Sequence, residues 1–336
     1  MRKIAIATLV AATAGIAPAA ANDSSAELAI GGLTFVRNDD IEMRSEDLYI
    51  SAAEIRVRYR FHNRSPRDVV LLVAFPLPEI RLDSDDANIS VPTDDPVNIV
   101  GFATTADGRP VDAQVEQRVF AAGVDRTDYL RGLGVPLAPH LEAAGVALDH
   151  LPAARRDEIV KLGLAEITEF DAGKGVERHL SPRWGLRTTF HWQQRFAAGA
   201  ETVIEHRYKP SVGASVQTSL GAPGSAGEPW FGEYRRKYCI DRDFLSAVER
   251  ARRAARSDFG PPMSEQRIDY VLKTGANWAG PIGEFRLVVD KGDPTSLVSF
   301  CADGVRKIAP TRFEVRRANF VPQQDFSVLI LKRLPQ

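Results

Sequence analysis

Three groups of residues have the types and spacing to do chemistry. Arg56, Arg58 and Arg60 alternate with Ile55, Val57, Tyr59 and Phe61, so on a strand the guanidinium groups form one row and the apolar side chains the other. Such a basic row can hold an anionic partner. It can equally pair with an acidic neighbouring strand, each cross-strand charge pair contributing only about 0.2–1 kcal/mol. Trp278, beside Asn277, sits in Gly275-Ala276-Asn277-Trp278-Ala279-Gly280-Pro281, where the indole is either an open platform for a sugar ring or a plug over the end of a sheet. Asp83, Asp85 and Asp86, followed by Asn88, Asp94 and Asp95, offer oxygen ligands for calcium. As an EF-hand the run fails, with Ala87 at the fifth position, Asn88 where glycine should turn the chain and Asp94 in place of the closing glutamate. A solvated acidic loop is the plainer reading.

Two histidines raise the question of zinc. Trp184 to Phe196 and Val203 to Tyr208 read as strands on either side of Ala198-Gly199. If they form a hairpin, a register that faces His191 with His206 also sets Trp192 against Glu205 and Phe190 against Arg207. Slipping by one residue pairs Trp192 with His206 and Phe190 with Tyr208, which keeps the apolar rows together. Burial favours the second register, so His206 is expected as a hydrogen-bonded core histidine, His191 outward, and no metal or other cofactor is expected. Cys239 and Cys301, the only cysteines, are expected to pair as a disulfide, worth roughly 4 kcal/mol in the chain-entropy picture. His-Glu-x-x-His, Gly-x-Ser-x-Gly, Ser-x-x-Lys and phosphate-binding glycine loops are all missing. A pair of carboxylates acting on a glycan stays open as the alternative to a non-catalytic role, since two acids need only meet in space.

The elements that must position these residues follow from the rest of the chain. With 336 residues and 44% hydrophobic content, a sizeable core is available. Residues 1–21 combine a basic start at Arg2 and Lys3, an apolar run from Ile4 to Ile16 too short to span a bilayer, and Ala19-Ala20-Ala21, the pattern of a secretory signal cleaved near Ala21-Asn22. Its removal leaves 41 basic residues against 44 acidic, a net charge of −3 with neutral histidine, which argues against a nucleic-acid partner. No later stretch has the apolar length of a transmembrane helix. The expected address is therefore periplasmic or secreted, and the expected partner an envelope protein or polysaccharide.

Ile55–Phe61 and Val69–Phe75 read as a hairpin about Asn63-Arg64-Ser65-Pro66. Val97–Thr104 and Val111–Val119 add two strands around an Asp107-Gly108 turn. The period then changes to a helical insertion over about 123–170, with helices through Asp128–Leu133, Pro139–Leu148 and Ala153–Leu162 and a stop at Gly163. Its leucines, Leu130 and Leu148 among them, suit a small core better than a partner groove. The predicted fold is thus mainly β: an antiparallel β-sandwich over 22–220 with that insertion, a flexible linker at 221–229, and a second β-rich region over 230–336 with one helix capped by Asp241 or Asp243.

The phrases NDSSAELAIGGLTF, FHWQQRF and TGANWAGPIGEF resemble an uncharacterised bacterial family of exported proteins, a domain of unknown function, across nearly the whole chain after residue 21. That resemblance implies no assigned chemistry. A second, narrower one, from about Glu54 to Pro210, is similar to the vault and inter-alpha-trypsin type of β-sandwich.

Overall fold

The computed structural model describes residues 22–29, 32–82, 89–171, 173, 175–256 and 260–334; Asp83, Asp85 and Asp86 lie outside them. The first strands are β1 (Ser24–Ala29), β2 (Gly32–Val36), β3 (Ile41–Ser51), β4 (Ile55–Asn63), β5 (Val69–Pro76), β6 (Ile80–Arg81), β7 (Ile89–Ser90), β8 (Ala103–Ala106), β9 (Arg109–Val111), β10 (Gln114–Ala121) and β11 (Val124–Asp125). Helices α1 (Thr127–Gly132), α2 (Glu142–Asp149) and α3 (Ala153–Lys161) follow, then β12 (Ala165–Asp171), β13 (Val176–Pro182), β14 (Gly185–Phe196), β15 (Glu201–Tyr208) and β16 (Val212–Ser215). After α4 (Pro229–Tyr238) and α5 (Arg242–Ala254) come β17 (Met263–Tyr270), β18 (Ile282–Asp290), β19 (Leu297–Phe300), β20 (Arg306–Lys307), β21 (Arg312–Phe320) and β22 (Phe326–Arg333).

Two large sheets face each other. One runs β11-β10-β14-β5-β1-β2, with β6 also on β14; the other runs β20-β21-β18-β3-β4-β15-β8-β9. Among the described residues every strand pair is antiparallel except β3 with β18, which run parallel with Leu48 opposite Leu287. Aromatic rings fill the space between the sheets: Phe102 stacks on Phe190 at 4.2 Å, Phe75 meets His206 at 4.8 Å, and Phe61 meets Phe196 at 5.8 Å. Each such pair adds about 0.5–1.5 kcal/mol beyond its burial. A third sheet, β19-β22-β17-β16-β7, closes one side. Strand β22 shows why it can serve two cores: Val328 and Ile330 join the main core, while Leu329 and Leu331 pack with Phe244 and Val248 of α5.

The alternation in β4 is realised as predicted, with Ile55, Val57, Tyr59 and Phe61 buried and Arg56 and Arg58 exposed. The predicted hairpins are not. β4 pairs with β3 and β15, whereas β5 pairs with β14 and β1, so the turn at 64–68 carries the chain from one sheet to the other. β14 and β15 are likewise in opposite sheets, and neither histidine register applies. The physical reason is shared. Two strands with one apolar face each can satisfy burial side by side or face to face across a core, and a short polar turn serves both. Trp192 still meets His206, edge-on at 5.5 Å between ring centroids, because the contact runs through the core.

His191 was expected outward and is only 8% exposed. The Leu33 amide of β2 donates at 3.1 Å to the carboxylate of Glu116, which lies on the same face of this sheet as His191. Burial lowers the His191 pKa. In the insertion, Leu130, Leu148 and Ile159 are buried in the main core, and β12 and β13 form a hairpin that the periodicity had not indicated. Helix α5 starts at Asp241, whose Oδ1 accepts from the Phe244 amide at 2.7 Å. A second helix, α4, precedes it, started by Pro229 and ended at Cys239 in the left-handed region at φ +50°. Cys239 and Cys301 form the expected disulfide. The expected linker at 221–229 contains a short 3-10 turn, Ser225–Gly227. Strands from both sides of it share two sheets: β16 pairs with β17, and β18 with β3.

Candidate functional site

The outer face of the eight-stranded sheet carries a basic trough. Arg56, Arg58 and Arg60 of β4 lie at its centre because the strand's even parity points outward there. Neighbouring strands contribute Asp47 and Tyr49, Glu205 and Arg207, Arg286, and Arg312 and Arg316 by the same alternation. One hollow of about 660 Å³ is lined by Asp47, Tyr49, Arg56, Arg58, Glu205, Arg207, Arg286 and Arg312 among others. A second, of about 650 Å³, shares Asp47, Arg58 and Arg286 with it and adds Arg60, Glu284, Arg316 and Arg317. The shared residues make the two continuous, and each volume lies within the range of about 300–1,000 Å³ usual for ligand sites.

The charges in the trough are paired but not balanced. Arg58 binds Glu205 at 3.0 Å, Arg60 binds Glu201 at 2.8 Å, and Arg286 binds Asp47 at 2.9 Å. Glu54 takes both Arg56 at 3.2 Å and Arg207 at 2.9 Å. Glu314 takes Arg286, Arg306 and Arg316 at 2.8, 2.5 and 3.0 Å, and Asp290 takes Arg312 at 2.8 Å. Eight guanidinium groups therefore share six carboxylates; Arg317 and Glu284 add one charge of each sign at the second hollow. Arg316, with Arg286 and Arg306, holds the Glu314 pKa down at about 2. Arg56 also lies over the Tyr49 ring at 4.6 Å, and the Tyr49 hydroxyl donates to Asp290 at 3.0 Å. Planar donors, an aromatic face and an excess of positive charge suit an extended anionic ligand.

The two carboxylates of the first hollow do not face each other across it. Asp47 and Glu205 are both register partners of Arg58, which stands between them. Among the described residues, no three His, Cys, Asp or Glu side chains are grouped to hold a metal ion.

Trp278 and Asn277 do not join the trough. Trp278 is fully buried, its Nε1 donating to the Asp23 carbonyl at 2.7 Å and its ring 4.7 Å from Phe61, so it is the plug and offers no face to a sugar. Asn277 donates to Ser24 Oγ at 2.9 Å.

Around this plug lies a polar cluster that the sequence pattern did not reveal. A bulge between Met43 and Ser45 shifts the phase of β3 and turns Glu46 into the core, where it is 1% exposed. Glu46 Oε2 accepts from Asn22 Nδ2 at 3.0 Å, and Tyr59 donates to Asn22 Oδ1. His206 bridges Asp23 Oδ1 at 2.9 Å and Thr104 Oγ1 at 2.8 Å. Burial pushes the Asp23 pKa up against the pull of His206. Burial likewise pushes Glu46 up to about 8, opposed by the Asn22 hydrogen bond. Glu46 and His206 reach the linings of the second and first hollows, but their side chains are turned into this buried hydrogen-bonded cluster.

Fold and site together define a β-sandwich protein with a basic trough on its largest sheet. Residues 21–329 match the model of the family described as "Domain of unknown function (DUF4424)", and the chain belongs to that family. No curated protein matches it. Among solved structures it is similar to a crystal structure from Legionella pneumophila described as a "putative nutrient binding protein", at 18% identity and a TM-score of 0.44, covering 93% of this chain and 70% of that one. No helix among the described residues is long and apolar enough to cross a membrane.

Proposed function

We propose that this protein is exported, loses residues 1–21 by cleavage before Asn22, and acts without catalysis by binding an acidic polysaccharide of the cell envelope along the arginine trough. The observation that carries this reading is the excess of guanidinium groups over carboxylates along two adjoining hollows, the first of them lined also by Tyr49. An anionic polymer would exchange with the trough's own carboxylates at little cost, because exposed pairs such as Arg58 with Glu205 contribute only about 0.2–1 kcal/mol each. Its contacts would be shared along several sugar units, so affinity would come from their number and fall with salt.

The test is retention on immobilised polygalacturonate, with neutral dextran as control. Wild type should bind the acidic polymer at about 50 mM salt and elute by about 500 mM, as screening predicts. The triple variant Arg56→Glu, Arg58→Glu, Arg60→Glu should lose at least ~10-fold in affinity while keeping its fold, since these three side chains project from the outer face of β4. Equal retention of wild type and variant removes the trough from the function.

A further inference from the structure

Asn22 is held as a core residue. It is wholly buried, and a Cβ on Gly275 would stand 2.5 Å from Asn22 Nδ2, so the chain opposite is cut away to admit it. Its main-chain nitrogen donates to Thr274 Oγ1 at 2.7 Å, and the same hydroxyl donates to the Asn22 carbonyl at 2.7 Å. Beside it, two carboxylate oxygens, Glu46 Oε1 and Asp23 Oδ2, are buried with no hydrogen-bond partner. Groups of this kind are costly: an unpartnered buried acceptor costs about 1–3 kcal/mol, and more when charged. Two buried acids, each with one oxygen satisfied and one left over, stand together in this core, and a cation between them would answer both. His206 lies on the other oxygen of Asp23, and Tyr59 and Tyr270 close the remaining side without supplying charge.

We propose that the missing counter-charge is the α-ammonium group of Asn22, released by leader cleavage and enclosed among Glu46, Asp23 and Thr274, so that processing completes the core. Hydrolysis adds water across the Ala21–Asn22 bond: the hydroxyl goes to the Ala21 carbonyl carbon and one proton to the Asn22 nitrogen, and the carboxylic acid so formed gives its own proton to that amine, so that Ala21 departs as a carboxylate and Asn22 carries an ammonium. As a peptide nitrogen this atom has one hydrogen, already given to Thr274. As an ammonium it has three and a positive charge, and the two additional donors equal in number the two unpartnered oxygens. The inference rests on the cleavage reading given under the proposed function, and reaches beyond it by giving the new amino terminus a structural role.

The experiment separates the two. The full chain is exported in a bacterial host and its first residue read by intact mass; a mature chain that begins anywhere but Asn22 overturns both readings. The Asn22 form is then compared with one retaining a single alanine before Asn22, each with and without Glu46→Gln. The Asn22 form should melt about 5 °C or more above the extended form, as expected for breaking a buried ion pair in a chain of this size. That difference should shrink by at least about half in the Glu46→Gln pair, where only Asp23 is left to the ammonium, giving a non-additive cycle. In the folded wild type, the α-amine should react with an amine-directed acylating ester at less than about one tenth of its rate in the unfolded chain. Equal melting temperatures with and without the extra alanine, or an α-amine that labels as fast folded as unfolded, overturn the ammonium role while leaving the cleavage reading intact.

Discussion

Glu314 shows how one side chain can organise a surface. It lies on the outward face of β21 yet is only 4% exposed, because Arg286, Arg306 and Arg316 close over it. Its pKa is held at about 2 against an ordinary 4.5, so its contribution to stability is fully present above about pH 4.5 and is lost as the pH falls towards 2. Glu314→Gln should lower the melting temperature by about 2–4 °C at pH 7. The gap between variant and wild type should close as the pH approaches 2, which a series of thermal melts across that window would measure. A gap that stays constant through the window would mean that the carboxylate is not paired in solution. At this scale the sequence was informative where a side chain's fate follows from its own strand. Arg56, Arg58 and Arg60 were placed by parity alone, and Cys239 and Cys301 by being the only two thiols. It was uninformative where a remote segment decides. His191 is buried although its strand parity points it away from the core, and Trp278 is held by Asp23, more than 250 residues away.

Among the elements, β3 departs most from its sequence pattern. Read with an unbroken period of two, it would place Glu46 and Asp47 on alternate faces without saying which, and a carboxylate would be assigned to solvent. The bulge at Met43 to Ser45 decides otherwise. Room for that bulge comes from β18: a Cβ on Gly283 would stand 2.6 Å from the Arg44 carbonyl oxygen, a main-chain atom that cannot rotate away. Gly283→Ala should therefore cost about 1–3 kcal/mol, read as a lower urea midpoint with an unchanged slope. An unchanged midpoint would show that the two strands can part locally. The two arches, β4 to β5 and β14 to β15, were legible as strands but not as partners. Asn63 satisfies its turn in either geometry: here its Nδ2 donates to the Arg67 carbonyl at 2.8 Å and to the Phe196 carbonyl at 3.0 Å, tying both arches together.

For the whole molecule, the expected separation at 221–229 gives way to shared sheets. Composition marks that stretch as loop-like, but nothing local reveals that β18 will lie beside β3. A chain ending at residue 281 would lose β18 to β22 and leave Leu48 and Ile50 without Leu287 and Val289 in the core. Such a truncation should show no cooperative thermal transition by circular dichroism; a sharp one would mean that the first 281 residues hold a core of their own.

The parallel contact of β3 with β18 also has a temporal side. Glu284 lies opposite Ser45, so the widest sheet joins the earliest strands to be made to one of the last. A ribosome or a translocation pore delivers the chain amino end first, and the seam cannot close until almost all of it has arrived. For most of its birth the polypeptide must wait with the edge of β3 unguarded, and a holding chaperone would find its handle there.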